Sequence, residues 1–185
     1  MHCVKSERTI EDTIKKSRFI GIVTPCGTEA QALQKLRQMA GQYADASHIA
    51  FAYRILTERS IVMRMHDAGE PGGTAGKPIY QHLEGKDLIN TMVMVVRYFG
   101  GIKLGAGGLT RAYGNGAKHA IAAAELVDYV AYETLRLTLE YKQLPVFEYQ
   151  LQKLSGRVVK QEFSERIELL VTLPRENVEA LRGLL

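Results

Sequence analysis

The sequence predicts an α+β protein built from two units, and three observations predict it. β-rich apolar runs alternate with segments whose apolar residues recur at helical spacing. Glycine is concentrated between Asp67 and Gly116, which hold 12 of the 17 glycines. Composition then changes near residue 132, where glycine almost vanishes and the charges balance. With 185 residues, 46% of them apolar, the chain has enough material for two cores. We divide it at 1–131 and 132–185.

In chain order, Thr9 to Thr24 reads as a strand pair around the basic run Lys15-Lys16-Ser17-Arg18. Thr28 suits the N-cap of a helix reaching about Ala40, since Ala32, Leu33, Leu36 and Met39 share one face, and Gly41 is placed to end it. His48 to Leu56 and Ile61 to Met65 form a hairpin that feeds a first glycine loop, Asp67 to Gly76. Pro78 fits the first turn of a short helix running through Leu83. Asn90 to Phe99, with the uninterrupted run Met92-Val93-Met94-Val95-Val96, reads as a strand covered on both faces at the centre of a sheet. It leads into a second glycine loop, Gly100 to Gly108, and a long helix from about Leu109 to Leu126.

Beyond residue 132 the pattern is strand, helix (Pro145 to Leu154), strand (Arg157 to Phe163), strand (Ile167 to Leu173) and helix (Arg175 to Leu184). This βαββα order is one strand short of a ferredoxin-like unit, so a truncated domain with an open edge is expected.

Charge narrows the functional classes. The net +4 comes entirely from the first unit, where 16 Lys and Arg face 12 Asp and Glu. Leu88 to Ala124 holds no acid but carries Arg97, Lys103, Arg111 and Lys118, a stretch suited to attracting anions. No run is long and apolar enough to span a bilayer, and no signal-peptide pattern opens the chain, so a cytoplasmic protein is expected. Cys3 and Cys26 lack metal or redox spacing.

Both glycine loops sit at strand-to-helix junctions, where unpaired helix N–H groups can face a ligand. Gly100, Gly101, Gly105, Gly107 and Gly108 in the second loop, with Gly72, Gly73, Thr74 and Gly76 in the first, would let backbone approach an anion closely. The competing reading is that these glycines serve tight turns and packing. Neither nucleotide fingerprint is intact: Ala106 stands where a phosphate loop needs Lys, and Gly105-x-Gly107 ends at Thr110. No cofactor and no metal are expected. Arg97, Lys103, Arg111 and Lys118 are the candidate phosphate contacts, extended by Lys15, Lys16 and Arg18, with Tyr98, Phe99 and Tyr113 as candidate stacking residues. Arg97 could instead pair with Glu70 or Asp67, the only acids of the first loop.

Several blocks carry a resemblance: Lys15-Lys16-Ser17-Arg18-Phe19-Ile20, Asp45-Ala46-Ser47-His48, Gly69-Glu70-Pro71-Gly72-Gly73-Thr74-Ala75-Gly76-Lys77-Pro78, and Val95 through Tyr113. In order and spacing they resemble the signature of the bacterial branch of the IMPACT family. The resemblance implies a ribosomal-protein-S5-domain-2-like first unit and a ferredoxin-like second unit. The expected function is binding of RNA or the ribosome in a translation-associated regulatory role. The alternative is an enzyme acting on a phosphorylated small molecule or nucleotide, with Asp67 or Glu70 as base or metal ligand.

Overall fold

The computed structural model describes residues 1–185, which separate into two compact units, Met1–Tyr129 and Val130–Leu185. The first contains β1 (His2–Val4), β2 (Arg8–Ile14), β3 (Ser17–Pro25), α1 (Glu29–Gln42), β4 (His48–Leu56), β5 (Ile61–His66), α2 (Gly76–Gly85), β6 (Thr91–Tyr98), α3 (Gly105–Ala123) and β7 (Leu126–Asp128). Five strands form one sheet in the order β2-β3-β6-β4-β5, every neighbouring pair antiparallel.

Strand β6 is central, as its unbroken apolar run requires. Val93 and Val95 face α2 and α3, packing with Ile79, Leu83, Tyr113 and Ala117. Met92, Met94 and Val96 face the opposite way, into a layer closed by Ala32 and Met39 of α1. One sheet thus separates two cores, and alternate residues of one strand supply both.

Helix α1 is capped by the Thr28 hydroxyl, which accepts from the Gln31 N–H at 3.1 Å. It runs past Gly41 to Gln42, so that glycine lies in the last turn and does not end the helix. Helix α3 also departs from expectation. It begins at Gly105, so Gly105, Gly107 and Gly108 are its first turn and not loop. It stops at Ala123, and Leu126–Asp128 pair as β7 with β1, a three-residue match between distant segments that local periodicity cannot reveal. No helix is long and apolar enough to cross a membrane.

The second unit holds β8 (Tyr132–Leu139), α4 (Leu144–Lys153), β9 (Arg157–Phe163), β10 (Ile167–Pro174) and α5 (Val178–Arg182). Its sheet order is β8-β10-β9, and Leu139, Phe147, Leu151, Ile167, Leu169 and Leu181 form its core. The final helix is shorter than the Arg175 to Leu184 span expected, because Arg175–Asn177 forms a separate 3-10 turn.

Packing of α3 on β3 depends on two facing glycines. A Cβ at Gly21 would overlap the carbonyl of Gly116, and one at Gly116 would press on the Val95 side chain at 3.1 Å. Gly21→Ala should therefore destabilise the first unit by about 1–3 kcal/mol, seen as a lower urea midpoint with an unchanged denaturant slope. An unaltered midpoint would show that the helix can shift without cost.

Candidate functional site

A cleft of about 520 Å³ opens on the first unit and is lined from both glycine-bearing segments: Glu70 and Pro71 from the first, and Phe99, Lys103, Leu104, Gly105 and Ala106 from the second, with Ser47, His48 and Arg97 on its floor. The two turns thus converge. Their helix N-termini differ, however.

At α2, the Asp67 carboxylate accepts three backbone N–H bonds, from Gly73 at 2.9 Å, Ala75 at 3.1 Å and Gly76 at 2.9 Å. Burial pushes the Asp67 carboxyl up, but the bonds from Gly73, Gly76 and Ala75, with the nearby His66, outweigh it and hold the pKa below the usual carboxylate value of 3.8. The Thr74 hydroxyl, also buried, donates to the Pro71 carbonyl. The amides of Gly73 and Gly76 are therefore occupied by the protein's own anion and that of Thr74 by the Pro71 carbonyl, which corrects the expectation that Gly73, Thr74 and Gly76 present N–H groups to a ligand. Gly72 is exposed on the same turn.

Helix α3 has no such partner. Its N-cap is Leu104, and no side chain caps it. Its first N–H groups and the positive end of a 19-residue helix face outward beside Lys103. The Arg111 guanidinium folds back alongside Gly107. Gly100 touches the β2–β3 hairpin so closely that a Cβ there would overlap the Lys16 carbonyl, which brings Lys15 and Lys16 next to the second glycine segment. Lys15, Lys16, Lys103 and Arg111 are exposed and outside every ion pair of the molecule.

The other expected contacts lie elsewhere or are consumed. Arg97 is buried, with Nη1 at 2.7 Å from Glu70 Oε1, its guanidinium between the rings of Phe19 (5.6 Å) and Phe99 (5.3 Å). Its Nε has no acceptor, and the two aromatic faces offset part of that deficit. Of the two readings of Arg97, the internal ion pair holds, because a buried guanidinium requires a counterion. Arg18 and Tyr98 face the α1 side of the sheet, where Arg18 bonds Glu11 at 2.8 and 2.6 Å and covers the Tyr98 ring, whose hydroxyl donates to Asp45. Lys118 is 13 residues along α3 from Gly105, about 20 Å away. It lies beside His82, whose pKa is lowered by burial and then by the Lys118 charge. Tyr113 is core: its ring meets Phe19 edge-on at 5.4 Å, and its hydroxyl donates to Glu70 Oε1 at 2.6 Å. Burial and that bond push its pKa far up.

Three residues central to the site were assigned no role from the sequence. Ser17 is fully buried, and its hydroxyl accepts from the Gly100 N–H at 3.2 Å. Ser47 Oγ accepts from the Phe99 N–H at 3.0 Å. His48 Nδ1 lies 2.8 Å from the Ala68 carbonyl, which can only accept, so Nδ1 carries a proton and Nε2 faces Glu70 Oε1 at 3.5 Å. All three lie inside the Lys15–Ile20 and Asp45–His48 blocks that carry the family resemblance, and that is the hint the sequence offered. No three His, Cys, Asp or Glu side chains come together to hold a metal ion.

Two outcomes follow. Arg97→Ala should cost about 3–5 kcal/mol of stability by stranding the Glu70 carboxylate, so chemical denaturation should register it even without any ligand. A loss under about 1 kcal/mol would mean the pair behaves as if solvated. Asp67→Asn should cost about 1 kcal/mol at neutral pH. Because the folded-state pKa of Asp67 is depressed, its contribution is complete above the unfolded value and is lost as pH falls through the lowered folded value. Thermal melts of wild type and variant should therefore converge at the acid end, and a gap independent of pH would contradict this.

Residues 15–121 match the Impact N-terminal domain and residues 137–185 match a domain of unknown function, DUF1949. The chain is 34% identical to the IMPACT family member YvyE of Bacillus subtilis over 165 residues, 89% of this chain and 76% of that one. It is 33% identical to YigZ of Escherichia coli over 171 residues, 92% of this chain and 84% of that one. A crystal structure of a hypothetical protein superposes with a TM-score of 0.74 at 30% identity, covering 99% of this chain and 89% of the other. The family match over more than half of the chain and the identity sustained through both units show that the chain belongs to the IMPACT family.

Proposed function

We propose that the protein binds RNA, free or in the ribosome, through phosphates seated at the N-terminus of α3, in a translation-associated regulatory role in the cytosol. One observation carries this reading: the uncapped end of α3 opens into the cleft that both glycine segments line, with Lys103 beside it and no exposed carboxylate among the residues of the cleft. Lys15, Lys16 and Arg111 extend the cationic surface around it. We read the two units as ribosomal-protein-S5-domain-2-like and ferredoxin-like; the β8-β10-β9 order supports the latter.

The hairpin turn adds support. Lys15 and Lys16 adopt φ of 46° and 66°, the left-handed region that a two-residue turn demands and that Asn and Gly fill more easily. Two lysines kept in strained backbone beside the cleft are what a charge requirement would select.

A second reading, an enzyme acting on a phosphorylated small molecule or nucleotide, is favoured by one feature, the Glu70 carboxylate beside His48 in the same cleft. Thermal stabilisation by a phosphorylated metabolite that disappears in Glu70→Ala would favour it.

For single-stranded RNA, four cations set a slope of log affinity against log salt of about −3. Lys103→Ala or Arg111→Ala should each flatten it by about 0.7, measured by fluorescence anisotropy, while Lys118→Ala should leave it unchanged. Salt-insensitive binding, or none, would remove the proposal. Replacing Lys15 and Lys16 by Asn and Gly should raise stability by about 1 kcal/mol while weakening RNA binding; a variant that is more stable and binds as well would show that the lysines serve only the turn.

A further inference from the structure

The Glu70 carboxylate is held asymmetrically. Its Oε1 takes the Arg97 Nη1 donor at 2.7 Å and the Tyr113 hydroxyl at 2.6 Å, and His48 Nε2 is also nearest this oxygen. Oε2 accepts nothing from the protein. The side chain is 4% exposed, so little of it reaches solvent. Yet the only fully enclosed side-chain polar atoms without partners are Arg54 Nε and Arg97 Nε. Oε2 therefore keeps its contact with the outside, and Glu70 lines the cleft. The result is a fixed, almost buried acceptor on a residue that lines the proposed phosphate site.

A free carboxylate oxygen beside an anion site would ordinarily repel the anion. Here Arg97 neutralises the charge of Glu70 while leaving one oxygen's lone pairs unused. Such a group rewards a ligand that brings a neutral donor next to its phosphate. Phe99 supplies a third element: its ring is 49% exposed, lines the same cleft, and lies over the Arg97 guanidinium at 5.3 Å. Glu70 and Phe99 thus sit on one guanidinium, one able to accept from a sugar hydroxyl and the other able to stack on the attached base.

Resting on the RNA-binding reading above, we infer that the cleft recognises a ribonucleotide unit as such: phosphate at the start of α3 and Lys103, the 2′-hydroxyl donating to Glu70 Oε2, and the base on Phe99. A deoxyribose has no hydroxyl at that position, so DNA that covers the cleft leaves Oε2 without a donor, a loss that disfavours it. Sequence preference does not enter, because stacking on one ring tolerates any base.

The wild-type full chain is enough to test this. Single-stranded RNA, DNA and 2′-O-methyl RNA of identical base sequence are compared by anisotropy at one salt concentration, with a free ribonucleoside monophosphate as a fourth probe. RNA should bind about tenfold or more tightly than DNA, and the 2′-O-methyl strand should fall with DNA. Equal affinities for RNA and DNA with a steep salt dependence would leave phosphate binding intact and overturn ribose recognition. No binding by any probe would overturn both. Binding of the monophosphate alone, lost in its 2′-deoxy form, would keep ribose recognition and remove the strand as its source. Glu70→Gln places an amide donor where Oε2 was, so in a folded variant the gap between RNA and its 2′-O-methyl counterpart should close. Phe99→Ala should weaken all strands in equal proportion. A preserved RNA preference in Glu70→Gln would assign discrimination to another group.

Discussion

The cleft depends on one buried node, the Glu70 carboxylate gripped by Arg97 and Tyr113. These residues come from three places: the first glycine turn, the end of β6 and the middle of α3. Joining them fixes the turn against the sheet and the sheet against the helix at the point where the cleft opens. A buried ion pair of this kind adds little net stability over a well-packed apolar alternative, but it is costly to break. Its contribution is positional. Phe19 and Phe99 flank the guanidinium, so one aromatic ring is also held at the cleft surface by the same interaction.

The second constraint is how the two helix N-termini are satisfied. Every helix start presents donors that require partners. At α2 the chain supplies Asp67, whose carboxylate occupies the place an external anion would take. At α3 it supplies none, and the cations nearest that end are exposed. Two segments of similar composition therefore do opposite things: one closes on itself and shapes the wall, the other remains open. Ser17 and Ser47 hold the open one in place by accepting from Gly100 and Phe99.

Much of this was legible in the sequence, for identifiable reasons. The run from Met92 to Val96 marked the central strand because a strand covered on both faces shows no alternation. Thr28 marked a helix start because its hydroxyl serves the N3 amide. Leu135, Leu137 and Leu139 alternate with Arg136 and Thr138, the pattern of a half-buried strand, and the three side chains point into one core. What was hidden depends on contacts between distant segments. The β1–β7 pairing joins residues more than a hundred positions apart through three-residue strands. Asp67 as a cap for Gly73 and Gly76, and the choice of Glu70 over solvent as partner for Arg97, need the loop's conformation. Charge alone grouped Lys118 with Lys103, although the helix between them carries Lys118 to its far end. It also grouped Arg18 with Lys16, although strand alternation sends it to the opposite face.

The claim that the open end of α3 is the RNA contact is tested most directly by following backbone amide resonances of the full chain during titration with single-stranded RNA. The largest shifts are expected at residues 99–108 with smaller ones at Lys15 and Lys16, and little change at Gly73, Gly76 or Lys118. Shifts confined to residues 132–185, or centred on the amides bound to Asp67, would contradict it.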